Sequence, residues 1–192
     1  MPRHIITAPA DLDVLTKLEG PLVYLNGPIQ GTDDWQAEAI AILGDLAPDL
    51  HVASARARSF AGGPERHMAW EQAFIERGAR DGVVLFWCAR ETRHRCDRTY
   101  AAQMRFELGE WAVKSSIGLA RLVVGIERGF TGGPYLHRRL TLSYSNIPVC
   151  RTLRQACAVA AELTRHETPL VIYPRDLSEL FTLQPFGGKN NG

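Results

Sequence analysis

The chain has 192 residues, with 22 basic and 21 acidic side chains and a formal net charge of +1. One domain fits that length, with enough apolar sequence for a core that needs no disulfide staple. The near-cancelled charge gives no footprint for a nucleic-acid polymer. No apolar run approaches the ~20 residues of a membrane span, and the opening segment lacks the apolar core of a signal peptide, so no membrane partner and a cytoplasmic setting are expected.

Residues 1–20 read as an N-terminal arm, 21–168 as the domain, and 169–192 as a C-terminal extension whose GGKNNG tail is expected to be disordered. From Leu22 onward, short β-branched or aromatic runs alternate with helix-period stretches. The runs are LVYLN (22–26), a weaker segment at 50–55, GVVLFWC (82–88), RLVVGIE (121–127) and IPVCR (147–151). Between them, residues 33–46, 64–79, 99–115 and 151–166 carry helical spacing, with Asp33 or Asp34 as N-cap of the first and Gly109 interrupting the third. This alternation predicts an α/β fold with a doubly wound, five-stranded parallel sheet. Residues 170–173 could add an edge strand. Cys88, Cys96, Cys150 and Cys157 form no CxxC pair and read as reduced thiols.

Ligands of open α/β sheets bind beyond the carboxyl ends of the strands. Three polar segments fall there. YLNGPIQGTDDW (24–35) combines Gly27 and Gly31 with the stiff Pro28. ARETRHRCDRT (89–99) is long, charged and aperiodic, a candidate lid that leads into FELGEW (106–111). ERGFTGGPYLHRRL (127–140) is glycine-rich and basic, and covers either the same pocket or a neighbouring subunit. His94, Cys96 and Asp97 lack the repeated spaced ligands of a zinc site, so no metal is expected. Gly132-Gly133 is too short for a dinucleotide fingerprint or a P-loop, so no cofactor is expected either.

The pieces YLNGPIQG (24–31), DDWQ (33–36), WE (70–71), VLFWCARET (84–92), FELGEW (106–111) and VGIERGF (124–130), taken in order, resemble the nucleoside 2-deoxyribosyltransferase family, in particular its deoxyribosyltransferase-like branch. The resemblance implies a flavodoxin-like fold and a two-step exchange, in which a glutamate displaces the base from C1′ and a second base then takes the sugar. Glu107 of the ELG motif is then the nucleophile, a carboxylate able to trap an oxocarbenium-like centre as an ester. Departure of the base needs a proton, and Glu71 is the chosen donor. Tyr24 is expected to hold the nucleophile's rotamer, with Asn26, Gly27 and Pro28 lining the base or sugar pocket. Trp35, beside Asp34, is the expected stacking platform, whereas Trp70, Trp87 and Trp111 read as core and pocket wall.

Two departures stand out. The family's sugar-binding aspartate falls on Ala101, leaving Asp97 or Thr99 as substitutes, and the family's C-terminal tyrosine is missing unless Tyr173 replaces it. Arg56 and Arg58 are candidates for a 5′-phosphate. Tyr135, His137 and Asn146 are candidates for a side chain lent across subunits, because the resemblance implies a homo-oligomer. The partners implied are a nucleoside or nucleotide and a free nucleobase. Three functions follow as expectations: transfer of the 2-deoxyribosyl group to another base, N-glycoside hydrolysis on the same scaffold, or a non-catalytic nucleotide-binding module.

Overall fold

The alternation read from the sequence builds one parallel sheet with helices on both faces. The computed structural model describes residues 4–8, 12–56 and 63–165. The possible strand at 170–173, Tyr173, Arg58 and the glycine-rich tail lie outside the described residues. In chain order the elements are β1 (His4–Thr7), α1 (Val14–Lys17), β2 (Leu22–Asn26), α2 (Trp35–Leu46), β3 (His51–Ser54) and α3 (Gly63–Asp81). They continue with β4 (Gly82–Cys88), α4 (Ala102–Ser116), β5 (Leu122–Ile126), α5 (Gly133–Ser143), β6 (Val149–Cys150) and α6 (Leu153–Arg165).

The strand order is β1-β3-β2-β4-β5-β6, and every pairing is parallel. Six strands stand where five were expected among the described residues, and the extra one comes from the N-terminal arm. β1 pairs with β3 from His4↔His51 to Thr7↔Ser54. His4 Nδ1 lies 3.0 Å from His51 Nδ1, while His51 Nε2 bonds the Glu19 carbonyl at 2.8 Å. A four-residue edge strand has little intrinsic signal, since strand preference is set mostly by cross-strand packing.

β2, β4 and β5 are buried along their whole length, as strands covered on both faces must be, which explains their near-continuous apolar sequence. Leu22, Tyr24, Val84, Phe86 and Val124 face α3, α4 and α5, where Trp70, Phe74, Leu108 and Trp111 complete one core layer. Val23, Leu25, Leu85, Trp87 and Val123 face α2 and α6 and form the other layer with Trp35, Leu43, Leu153 and Cys157.

Two further expectations are corrected. Gly109 does not interrupt α4, which runs unbroken through it. An exposed helical glycine costs about 1 kcal/mol, and burial of Leu108 and Trp111 on the same helix outweighs that. The segment read as a glycine-rich loop is in its second half a helix, α5, with proline in its first turn and Leu140 buried. Cys88, Cys150 and Cys157 are buried free thiols and Cys96 is an exposed one. No helix among the described residues is long and apolar enough to cross a membrane.

Candidate functional site

At the carboxyl end of β2, on the side of α3 and α4, lies a cavity of about 550 Å³. β2 and its loop supply Tyr24, Asn26, Gly27 and Pro28; α3 supplies His67 and Glu71; α4 and the segment before it supply Thr99, Gln103 and Glu107. The two helices each present a pair spaced i, i+4, which puts both members on one face. Along β2, alternation sends Tyr24 and Asn26 to this side of the sheet.

Asn26 Nδ2 donates to Glu107 Oε2 at 2.7 Å, and Gln103 Nε2 donates to Glu107 Oε1 at 2.8 Å. Both oxygens of the carboxylate therefore accept a neutral amide, which fixes its rotamer. Gln103 Nε2 also donates to Glu71 Oε2 at 3.1 Å, and His67 Nε2 lies 3.3 Å from Glu71 Oε1. One amide nitrogen thus ties the two carboxylates together. Burial raises the pKa of Glu71, and the Glu107 charge adds to that, against the opposing effects of His67 and Gln103. Tyr24 is 2 % exposed. Burial first, then the charges of Glu71 and Glu107, hold its phenol well above the ordinary value, so it stays neutral.

The loop after β2 is held from beneath. Trp35 Nε1 donates to the Pro28 carbonyl at 2.9 Å. A Cβ on Gly27 would lie 2.5 Å from the Trp87 carbonyl oxygen and 2.6 Å from Trp35 Cζ2, so only glycine fits there. The charged segment 89–99 is tied to the same loop, as the amides of Thr92 and Arg93 donate to Gly31 O at 2.8 and 3.1 Å. Ala101 takes φ 56, the one positive φ of a non-glycine among the described residues, and it lines the cavity at the start of α4. Such mild strain concentrates at sites whose surroundings enforce it.

Of the residues singled out in the sequence, Glu107, Glu71, Tyr24, Asn26, Gly27, Pro28 and Thr99 meet in this cavity. The bond to Glu107 expected from Tyr24 is made by Asn26. Trp35 and Asp34 are not part of it. Trp35 is 5 % exposed and packs in the opposite core layer. Asp34 caps α2 by accepting from Ala37 N at 3.1 Å, and pairs with Arg56 at 3.3 Å. Both line a separate cavity of about 820 Å³, with Trp87, Arg90, Arg128 and Arg151. Asp97 is exposed and bound by Arg95 at 2.6 and 3.0 Å, which holds its carboxyl below the ordinary range. Arg56 also donates to the carbonyls of Ile29 and Asp33, a loop-bracing role. Asn146 donates to Ser115, inside the fold.

His67, Gln103, Gln36 and Arg98 line the cavity without having been singled out. Gln103 was legible from its position four residues before Glu107. His67 bears the same relation to Glu71. No protein-family model matches the chain, and no curated protein matches it.

Proposed function

We propose that this chain cleaves the N-glycosidic bond of a nucleoside or nucleotide and transfers the 2-deoxyribosyl group to another nucleobase through a covalent Glu107 ester. The observation carrying this reading is the Glu71–Gln103–Glu107 cluster in a cavity at the strand ends. The shared Gln103 nitrogen limits the gap between the nearer carboxylate oxygens to about 6 Å, close to the ~5–5.5 Å of retaining glycosidases and short of the wider spacing of most inverting ones. The strand order without β1 is compatible with a flavodoxin-like fold, and the sequence resemblance points the same way.

In the first step a Glu107 oxygen attacks C1′ and the C1′–N bond breaks. The electron pair leaves with the base, which takes a proton from Glu71. The raised pKa of Glu71 suits that donation. Asn26 and Gln103 hold Glu107 for attack, and the neutral Tyr24 adds no competing charge. In the second step a nitrogen of another base attacks C1′, its proton returns to Glu71, and Glu107 departs as carboxylate. No metal or cofactor takes part in this scheme. A homo-oligomer in the cytoplasm is part of the proposal. In its support, Phe106, next to Glu107, is 76 % exposed and shares a stripe of α4 with the exposed Val113.

The test is to incubate the protein with 2′-deoxynucleosides and their 5′-monophosphates, with and without free adenine or cytosine, and to resolve the products chromatographically. Base exchange is expected, with Glu107→Ala reducing it by about a thousandfold or more. Release of free sugar or sugar phosphate alone replaces transfer with hydrolysis, and binding without turnover replaces both with the non-catalytic module. Full activity in Glu107→Ala overturns the mechanism.

A further inference from the structure

Gln36 sits in the first turn of α2, directly after Trp35. Its side chain lines the cavity that holds Glu107, yet it is only 2 % exposed. Its Oε1 has no hydrogen-bond partner among the described residues. Buried polar groups are almost always bonded, because a carbonyl removed from water without a donor is costly. The other two glutamines of the cavity are engaged, Gln103 on the carboxylates and Gln30 with Arg98. Among the described residues that line the cavity, the Gln36 amide is the one left with an unmet acceptor.

A primary amide carries an acceptor and a donor side by side. That pair complements a heterocycle edge on which an amino group adjoins a ring nitrogen, as in adenine or cytosine: the amide oxygen accepts from the amino group and the amide nitrogen donates to the ring. Resting on the functional reading above, we propose that Gln36 is the residue that reads the base, and that the cavity takes an amino-bearing nucleobase through a two-point contact with its amide. The Gln36 side chain touches the base and not the reacting C1′, so its loss weakens binding and discrimination and leaves the covalent step itself in place.

The experiment compares 2′-deoxyadenosine with the 2′-deoxynucleoside of unsubstituted purine, and 2′-deoxycytidine with its analogue lacking the amino group, in wild type and in Gln36→Met. Wild type is expected to favour at least one amino-bearing substrate by about 10- to 100-fold in kcat/KM. In Gln36→Met that ratio falls to near one, mainly through KM. Calorimetric binding of free adenine and free purine to a Glu107→Ala protein gives the same comparison without turnover. A wild-type ratio near one in both pairs, or a ratio unchanged in Gln36→Met, overturns the assignment of Gln36 even if base exchange is observed. Absence of both turnover and base binding overturns the reading of the cavity itself, and this assignment with it. The wild-type comparison stands if Gln36→Met fails to fold.

Discussion

Gly27→Ala is the most informative single change, because it adds one methyl at the point where the site loop meets its floor. That methyl would lie 2.5 Å from the Trp87 carbonyl oxygen and 2.6 Å from Trp35 Cζ2. Restoring ordinary contacts of ~3.5 Å requires an opening of roughly 1 Å. Neither obstacle yields easily. Trp87 lies within the fully buried β4, and the Trp35 ring is anchored by its bond to Pro28. The loop must therefore lift, at about 1–3 kcal/mol for overpacking, or roughly 3–10 °C in Tm for a chain of this size. Asn26 precedes Gly27 and moves with it, releasing Glu107 from its 2.7 Å bond. Displacement of that order near reacting groups costs on the order of a hundredfold in turnover. Thermal unfolding by circular dichroism and the base-exchange assay measure the two effects. Gly109→Ala is the control: its added methyl meets nothing within 4 Å, and it should stabilise α4 by about 0.5–1 kcal/mol. If Gly27→Ala melts with the wild type and turns over normally, the loop is not braced as described.

Two further outcomes follow from the same contacts. Trp35→Phe keeps the ring in the core but leaves the Pro28 carbonyl without its donor, so the urea midpoint should fall in line with a loss of about 1–3 kcal/mol, with little change in slope. Glu71 holds its proton more tightly folded than unfolded, so its contribution to stability is full below the ordinary carboxylate pKa and is lost as pH rises through the raised folded value. Glu71→Gln removes that loss. It should be more stable than wild type at neutral pH, with the gap closing in acid, while base exchange collapses. Equal stability across pH in a pH-resolved melting series refutes the burial argument.

The central strands were legible because burial on both faces imposes long apolar runs, as in GVVLFWC, and α2 because Asp34 and the apolar spacing mark its start. β1 was not, since HIIT gains its strand character from pairing with β3. α5 was hidden by the glycines before it, although Pro134 and the Leu136–Leu140 spacing carried the signal. In the site, β2 alternation puts Asn26 and Tyr24 on one side of the sheet, and helix spacing orders Gln103, which the motifs did not mark, with Glu107. Trp35 was misplaced because an aromatic beside a glycine loop reads equally as a platform above the ligand or a brace beneath the loop, and only the Pro28 bond separates the two. Of the two substitutes offered for the sugar-binding aspartate, Thr99 lines the cavity and Asp97 does not, because closeness in sequence says nothing about where an aperiodic segment turns.

The pairing of β1 with β3 also bears on how the protein behaves at high concentration. Sheet edges that expose unpaired amides are templates for strand addition and fibril growth. Among the described residues one outer edge is the four-residue β1 and the other the two-residue β6, both too short to recruit a neighbour well. Without β1, the exposed edge would be β3, His51–Ser54, a strand that is buried throughout in the intact fold. β1 thus covers the β3 edge, and a variant lacking residues through Ala8 would leave that edge open to strand addition.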